Sequence, residues 1–188
     1  MRPTLSRWFS IAALLALLAM PSTSAEAFTG EGHAYAGPSL ANANALNGWG
    51  HWGPGAQTAL VLSLSDFWRL NVGLEGSFHF ESAETEDEEA IPSFAVLGAF
   101  VGVRYALDVF TYVPYVGLAV TSFLAGPRTT PEGGGFDLGA KLTIGLDYRY
   151  TRFWSFGVLA DLHASFTEPT EIPVYSSINI HLARHFRW

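Results

Sequence analysis

The chain has 188 residues, a net charge of −7 and no cysteine, and it is 49% hydrophobic but only 14% charged. The acidic balance argues against a nucleic-acid-binding protein, because phosphate contacts require basic surface. The lack of cysteine excludes disulfides, thiol catalysis and a thiolate zinc site.

The N-terminal 27 residues have the organisation of a secretory signal peptide. Two arginines precede the apolar run FSIAALLALLAM, and the sequence AEA at 25–27 offers a small-x-small cleavage site. An uncleaved anchor helix is the alternative, although this run is shorter than the roughly 20 residues that a spanning helix needs. We therefore predict a signal peptide at 1–27, cleaved before Phe28, and a single domain at 28–188.

Most of the remaining chain alternates apolar and polar residues with a period of two, which is typical of β-strands that have one polar face. The clearest segments are 68–81, 136–149, 154–166 and the C-terminal SINIHLARHFRW. With the weaker segments included, eight strands are predicted. Their approximate spans are 31–43, 54–65, 68–82, 93–107, 112–125, 135–150, 153–167 and 174–188.

The length and polarity of these strands favour a membrane barrel over a soluble β-sandwich. They exceed the roughly 5–6 residues usual in soluble sheets, and a membrane strand needs only about 9–11. Charges lie deep within the polar faces, and in a bilayer such a sheet must close so that every backbone group is paired. The predicted fold class is all-β: an eight-stranded antiparallel up-and-down transmembrane barrel. Two membrane helices within 90–126 are the competing hypothesis.

The predicted connections alternate between short and long. Bacterial barrels have short periplasmic turns and longer outer loops, so both termini are expected in the periplasm. Aromatic residues collect beside the short turns, where amphipathic rings favour the membrane–water interface. The aromatic belt predicted at this rim contains Trp68, Tyr112 and Trp154.

The predicted mature chain resembles the small eight-stranded outer-membrane barrels of Gram-negative bacteria, of the OmpA transmembrane-domain, OmpX and OmpW type. The resemblance implies an outer-membrane location, with lipid bilayer and lipopolysaccharide as partners. The terminal IHLARHFRW is similar to the family's assembly signal, with Trp in place of the usual final Phe. Recognition by the barrel-assembly machinery would then involve Ile180, Leu182, Phe186 and Trp188.

The inward-facing polar residues predict an interior filled by ion pairs. An eight-stranded barrel is just wide enough for its side chains, and an isolated buried charge is very unfavourable. The predicted network contains Glu75, Lys141, Asp161, His181, Arg104 and Asp147. We expect Lys141, Glu75 and Asp161 near mid-height with His181, and His163 nearer the outer rim. A static plug is the simplest consequence, and a gated ion path is the alternative.

The predicted function is non-enzymatic: a structural, envelope-integrity or surface-interaction role, with no cofactor or metal. The segments 54–64, 93–103 and 113–125 are largely apolar or small on both faces. The alternative is therefore binding or lateral passage of a small hydrophobic molecule, as the OmpW resemblance implies.

A lipid A deacylase-like hydrolase is the function least favoured by the sequence. His163-Ala164-Ser165 is similar to the His-x-Ser pair of those barrels. However, Phe166 replaces the Asn that usually follows the serine, and the last strand has no Glu to orient the histidine. A Ser–His pair without such an orienting group lacks the geometry that activates the hydroxyl.

The segment ESAETEDEE at 81–89 contains six acidic residues. Such a run is usually a solvated, self-repelling loop. Carboxylates also bind Ca²⁺ or Mg²⁺. The alternative hypothesis is therefore a weak cation site whose bound ion bridges to lipopolysaccharide phosphates.

Overall fold

Eight antiparallel strands form a closed barrel in which each strand pairs with the next and β8 pairs with β1. The computed structural model describes residues 30–44, 50–80, 93–108, 111–127, 135–166 and 175–188. The strands are β1 (Glu31–Asn44), β2 (Gly50–Ser63), β3 (Trp68–His79), β4 (Phe94–Ala106), β5 (Tyr112–Pro127), β6 (Gly135–Arg149), β7 (Trp154–Ser165) and β8 (Tyr175–Arg187). The predicted fold class and strand number are confirmed.

The observed strand bounds correct two expectations from the sequence. β2 begins at Gly50 rather than near 54, so Trp52 lies on a strand and not in a loop. β4 and β5 occupy most of 90–126, and the hypothesis of two membrane helices is wrong. Among the described residues, no helix has the length and hydrophobicity needed to cross a bilayer. The predicted signal peptide and the acidic run at 81–89 lie outside the described residues.

Apolar and charged side chains are distributed in the reverse of the usual soluble pattern. Large apolar residues project outward and are exposed, among them Leu74 at 60%, Leu118 at 62% and Ile180 at 66%. Charged residues project inward, and Lys141 and Arg104 are each only 1% exposed. Alternation of outward apolar and inward polar residues is the pattern of a barrel whose outer wall contacts hydrocarbon.

The interior also contains apolar and aromatic side chains, for which glycine leaves room. The ring of Tyr115 occupies the space beside Gly145, and a Cβ atom on Gly145 would collide with it. A Cβ atom on Gly73 would lie 2.5 Å from Cζ of Phe100. These glycines are needed because inward side chains of eight strands share a narrow lumen.

The two ends of the barrel differ in the length of their connections. We call the end with the connections 64–67, 107–111 and 150–153, together with Gly30 and Trp188, the short-turn end. The amide of Leu64 donates to the carbonyl of Trp68 at 2.8 Å, which closes the first of these turns. The exposed aromatic residues that begin the next strands are Trp68, Tyr112 and Trp154.

The seam between β1 and β8 has a short gap. The ladder runs from Glu31↔Arg187 to Ala43↔Tyr175, but Gly37 and Pro38 have no paired residue on β8. Proline lacks a backbone N–H and cannot donate to a ladder. The side-chain amide of Asn179 donates instead to the carbonyl of Gly37 at 3.1 Å.

Candidate functional site

Lys141 on β6 lies between two carboxylates in the middle of the interior. Its Nζ is 2.7 Å from Oε2 of Glu75 and 2.8 Å from Oδ2 of Asp161. The hydroxyl of Thr143 donates to the other oxygen of Asp161 at 2.5 Å. Nζ also lies 3.8 Å from the ring centroid of Phe100, on the apolar side of the lumen. Charge pairing and the aromatic face thus stabilise a lysine that is almost wholly buried.

His163 joins this cluster on the side of the outer rim. It is the cross-strand partner of Lys141, and its Nε2 lies 3.6 Å from Oε1 of Glu75. Its ring also contacts Phe123 and Tyr175, each with a centroid distance of 5.0 Å. It lies two residues beyond Asp161 on β7 and pairs with Tyr175, the first residue of β8, so it is nearer the outer rim than Asp161, as predicted.

Glu75, Asp161 and His163 offer ligand atoms that all lie within 4.8 Å of one another. Two carboxylates and an imidazole are a donor set that divalent metals use. The ammonium of Lys141 already occupies the space against both carboxylates. A metal ion would have to displace it, so this geometry is that of an ion-paired core.

The remaining members of the predicted network form a second layer nearer the short-turn end. His181 Nε2 lies 2.8 Å from Oδ1 of Asp147. Arg104 differs from the expectation, because it makes no ion pair with a carboxylate of the described residues. Its guanidinium instead lies 4.1 Å from the ring centroid of Tyr115 and donates to the hydroxyl of Tyr35 at 3.4 Å.

A third polar layer closes the short-turn end. Asp108 Oδ2 accepts charged hydrogen bonds from both Arg69 and Arg149. The rings of His33 and His185 are in contact, with centroids 4.9 Å apart and planes tilted by 40°. This histidine pair was not predicted, since its members lie on the first and last strands and meet only when the barrel closes.

These residues border a cavity of about 430 Å³, which we call the rim cavity. It opens between the β6–β7 turn and the ends of β1 and β8. Its lining consists of Glu31, Gly32, His33, Ser63, Arg69, Asp108, Arg149, Arg152, Phe153, His185, Phe186 and Arg187. Arg69, Arg149 and Arg187 come from three different strands, and no sequence pattern predicted that they share a cavity.

The outer wall carries a second, apolar depression of about 630 Å³, which we call the wall groove. Its lining includes the outward residues Leu60, Val72 and Val120 and the inward residue Phe100. The outward residue Ala99 also lines it. The groove therefore reaches from the apolar outer wall to an inward aromatic ring.

The His163–Ser165 pair faces the lumen. His163 is buried, and a carboxylate that the sequence did not predict, Glu75, lies beside it. An acyl chain in the surrounding bilayer would contact the opposite face of β7, which presents Leu162 and Phe166. The geometry therefore offers lipid no direct approach to the imidazole.

The residues of the predicted assembly signal lie at the end of β8. Ile180, Leu182 and Trp188 are exposed on the outer surface. The rings of Phe186 and Trp188 are 5.7 Å apart. They form an aromatic pair at the short-turn end.

A closed eight-stranded barrel with an apolar outer face and a charged interior defines the class of small outer-membrane β-barrels. Solved structures with this fold include Neisserial surface protein A (TM-score 0.66, 15% identity, 85% of this chain and 98% of that chain covered). OprG from Pseudomonas aeruginosa has a TM-score of 0.64 and 10% identity over 86% of this chain and 98% of its own.

Ail from Yersinia pestis, solved with the heparin analogue sucrose octasulfate, has a TM-score of 0.58 and 9% identity over 84% of this chain and 99% of its own. At such identities the similarity concerns the fold. No family model and no curated protein matches the sequence.

Proposed function

We propose that this chain is a non-enzymatic integral protein of the bacterial outer membrane that serves envelope integrity or surface interaction. The observation that carries the proposal is the belt of exposed apolar side chains around a closed wall that encloses buried charges. Such a surface is stable in hydrocarbon, and it would aggregate in water.

In this proposal the short-turn end faces the periplasm, and the longer connections face outward. The aromatic residues at the short-turn end support that orientation, since Trp and Tyr favour bilayer interfaces. Residues 1–27 act as a cleaved signal peptide, and the end of β8 is recognised by the barrel-assembly machinery. The outer connections then make the surface interactions. The strongly acidic segment 81–89 would bind lipopolysaccharide phosphates through shared divalent cations.

The interior acts as a static plug in this proposal, because paired charges and aromatic rings from facing strands fill its middle layer. Planar-bilayer recording tests it: the wild-type barrel should show little conductance. Lys141→Ala should raise the conductance because it removes the ammonium that bridges two carboxylates. Leu142→Ala, on the outer face of the same strand, is the matched control and should leave conductance unchanged. A stable, large conductance in the wild type would contradict the plug.

The role in the envelope requires a cellular test. A strain that lacks the protein should become more permeable to a large hydrophilic antibiotic, and the wild-type gene should restore the barrier. A version with 82–88 replaced by an uncharged linker separates the two roles. It should restore the barrier if the wall is sufficient, and it should fail if the acidic connection organises lipopolysaccharide. Unchanged permeability in the deletion strain would contradict an envelope-integrity role.

Binding or lateral passage of a small hydrophobic molecule is the second candidate, and the wall groove favours it. The groove is apolar and reaches the ring of Phe100 inside the barrel. Ala99→Trp would fill it and should abolish binding of an apolar fluorescent probe. Ala160→Trp, on the outer face of β7 and outside the groove, should not. Equal binding by wild type and both variants would assign the probe to the detergent or general surface.

A further inference from the structure

The rim cavity carries an excess of positive charge. Four arginines line it, against the two carboxylates of Glu31 and Asp108. With both histidines neutral, the net charge of the lining is therefore +2. A cationic lining at the edge of a membrane protein favours an anionic occupant.

Both carboxylates of the cavity are already paired. Asp108 Oδ2 forms ion pairs with both Arg69 and Arg149. Glu31 Oε1 pairs with Arg187 at 2.7 Å. Arg152, which stacks over the ring of Phe153, has no carboxylate within 4.0 Å among the described residues. The unbalanced charge is thus not removed by an acidic side chain of the described barrel.

Arg69 makes this imbalance more severe. It is only 5% exposed, and its direct cross-strand neighbour is another buried cation, Arg104. Like charges opposite one another destabilise a sheet. In addition, Nε of Arg69 and Nε2 of His33 are buried without a hydrogen-bond partner, and both residues line the cavity. Two buried polar groups at one cavity therefore lack the partners that such groups normally have.

The chemistry of the lining selects the kind of anion. Planar guanidinium groups bind phosphate oxygens in pairs, and Arg69, Arg149 and Arg152 present three of them. Phe153 and Phe186 also line the cavity, and they belong to the aromatic surface of the short-turn end. An occupant with a phosphate group and apolar chains would match both parts of the lining.

We propose that the rim cavity is a phosphate-binding site, with Arg69 and Arg152 as its principal ligands. The phosphate is supplied either by the headgroup of a phospholipid in the adjacent leaflet or by free phosphate. In the first case the acyl chains lie against Phe153 and Phe186. The site is independent of the proposed cellular role, because its binding can be measured on the folded barrel alone.

Calorimetry on the full mature barrel in dodecyl maltoside tests the site with three probes: inorganic phosphate, phosphatidylglycerol and the phosphate-free lipid diacylglycerol. The variants are Arg69→Gln and Arg152→Gln. Arg184→Gln is the matched control, because Arg184 is exposed at the same end over the ring of Trp154 and does not line the cavity. Heat-dependent gel mobility verifies that each variant folds, and the exposed Arg152 provides the test if Arg69→Gln does not.

We expect saturable binding of at least one phosphate probe and none of diacylglycerol. Arg152→Gln should weaken it by about tenfold, as the loss of a charged hydrogen bond implies, and Arg184→Gln by no more than about twofold. Binding of phosphatidylglycerol alone assigns the lipid source, whereas binding of inorganic phosphate alone assigns the free anion. Lack of saturable phosphate binding, or equal loss in Arg184→Gln and Arg152→Gln, overturns the proposal.

Discussion

Lys141 Nζ and Glu75 Oε2 lie 2.7 Å apart inside the barrel, although 66 residues separate them in the sequence. Asp161, on the strand next to Lys141, completes the contact. One ammonium therefore joins β3, β6 and β7 across the lumen. Because it balances two carboxylates, removing it leaves two buried negative charges close together.

The first prediction concerns this lysine. Lys141→Met should lower the free energy of unfolding by about 3–5 kcal/mol, the usual effect of removing one partner from a buried ion pair. Urea titration of the barrel in lipid vesicles, followed by tryptophan fluorescence, measures it. The triple variant Lys141→Met, Glu75→Gln, Asp161→Asn should recover much of the loss. A single variant within about 1 kcal/mol of wild type would show that the carboxylates are solvated or protonated.

The second prediction concerns the space beside Gly145. Gly145→Ala should destabilise the barrel by about 1–3 kcal/mol, because its new methyl group collides with the ring of Tyr115. In a Tyr115→Leu background the same change should have a much smaller effect, which a double-mutant cycle measures. Gly76→Ala is the control, since its Cβ would meet only the end of the Leu97 side chain at 3.0 Å and a backbone oxygen at 3.4 Å. Additive effects of Gly145→Ala and Tyr115→Leu would contradict the collision.

The third prediction concerns Asp108, the single carboxylate shared by two arginines. Asp108→Asn should reduce stability by at least about 1.5 kcal/mol, because it weakens two charged hydrogen bonds. Asp66→Asn, in an exposed turn at the same end, should have almost no effect. Equal unfolding midpoints for the two variants would mean that the Asp108 pairs contribute nothing measurable.

A fourth prediction concerns assembly. Trp188→Ala should lower the amount of folded protein in the outer-membrane fraction several-fold, whereas Trp188→Phe should retain it. Phe166→Ala, an exposed aromatic at the opposite end of the barrel, should not reduce it. The heat-shifted band on immunoblots measures the folded fraction. Similar losses in Trp188→Ala and Phe166→Ala would indicate a general need for surface aromatics rather than a terminal signal.

The strand pattern was predictable because side-chain alternation is a local property of each strand. All eight strands were found, and the largest error in a strand start was at β2, where the Gly- and Trp-rich residues before 54 were interpreted as a loop. Alternation cannot be recognised where glycine replaces an inward side chain, as at Gly53 and Gly55. The residues lie on a strand because their partners on β1 hold them there.

The contacts between inward residues of different strands were harder to predict than the direction of each side chain. His163 was correctly expected nearer the outer rim than Asp161, but its pairing with Lys141 was not predicted. Arg104 was expected beside a carboxylate, but it packs on Tyr115 from the neighbouring strand. Both contacts depend on the shear of the closed sheet, which is a property of all eight pairings together and is not encoded in any single segment.

The gap at Gly37 and Pro38 interrupts the register of the joint between the first and last strands. The other seven strand pairs keep a continuous register among the described residues, whereas here one side-chain amide, that of Asn179, spans the break. Amide protons that flank the gap should therefore exchange with solvent deuterium earlier than those of the β5–β6 ladder. If the closed sheet opens during unfolding, β1 and β8 should separate first.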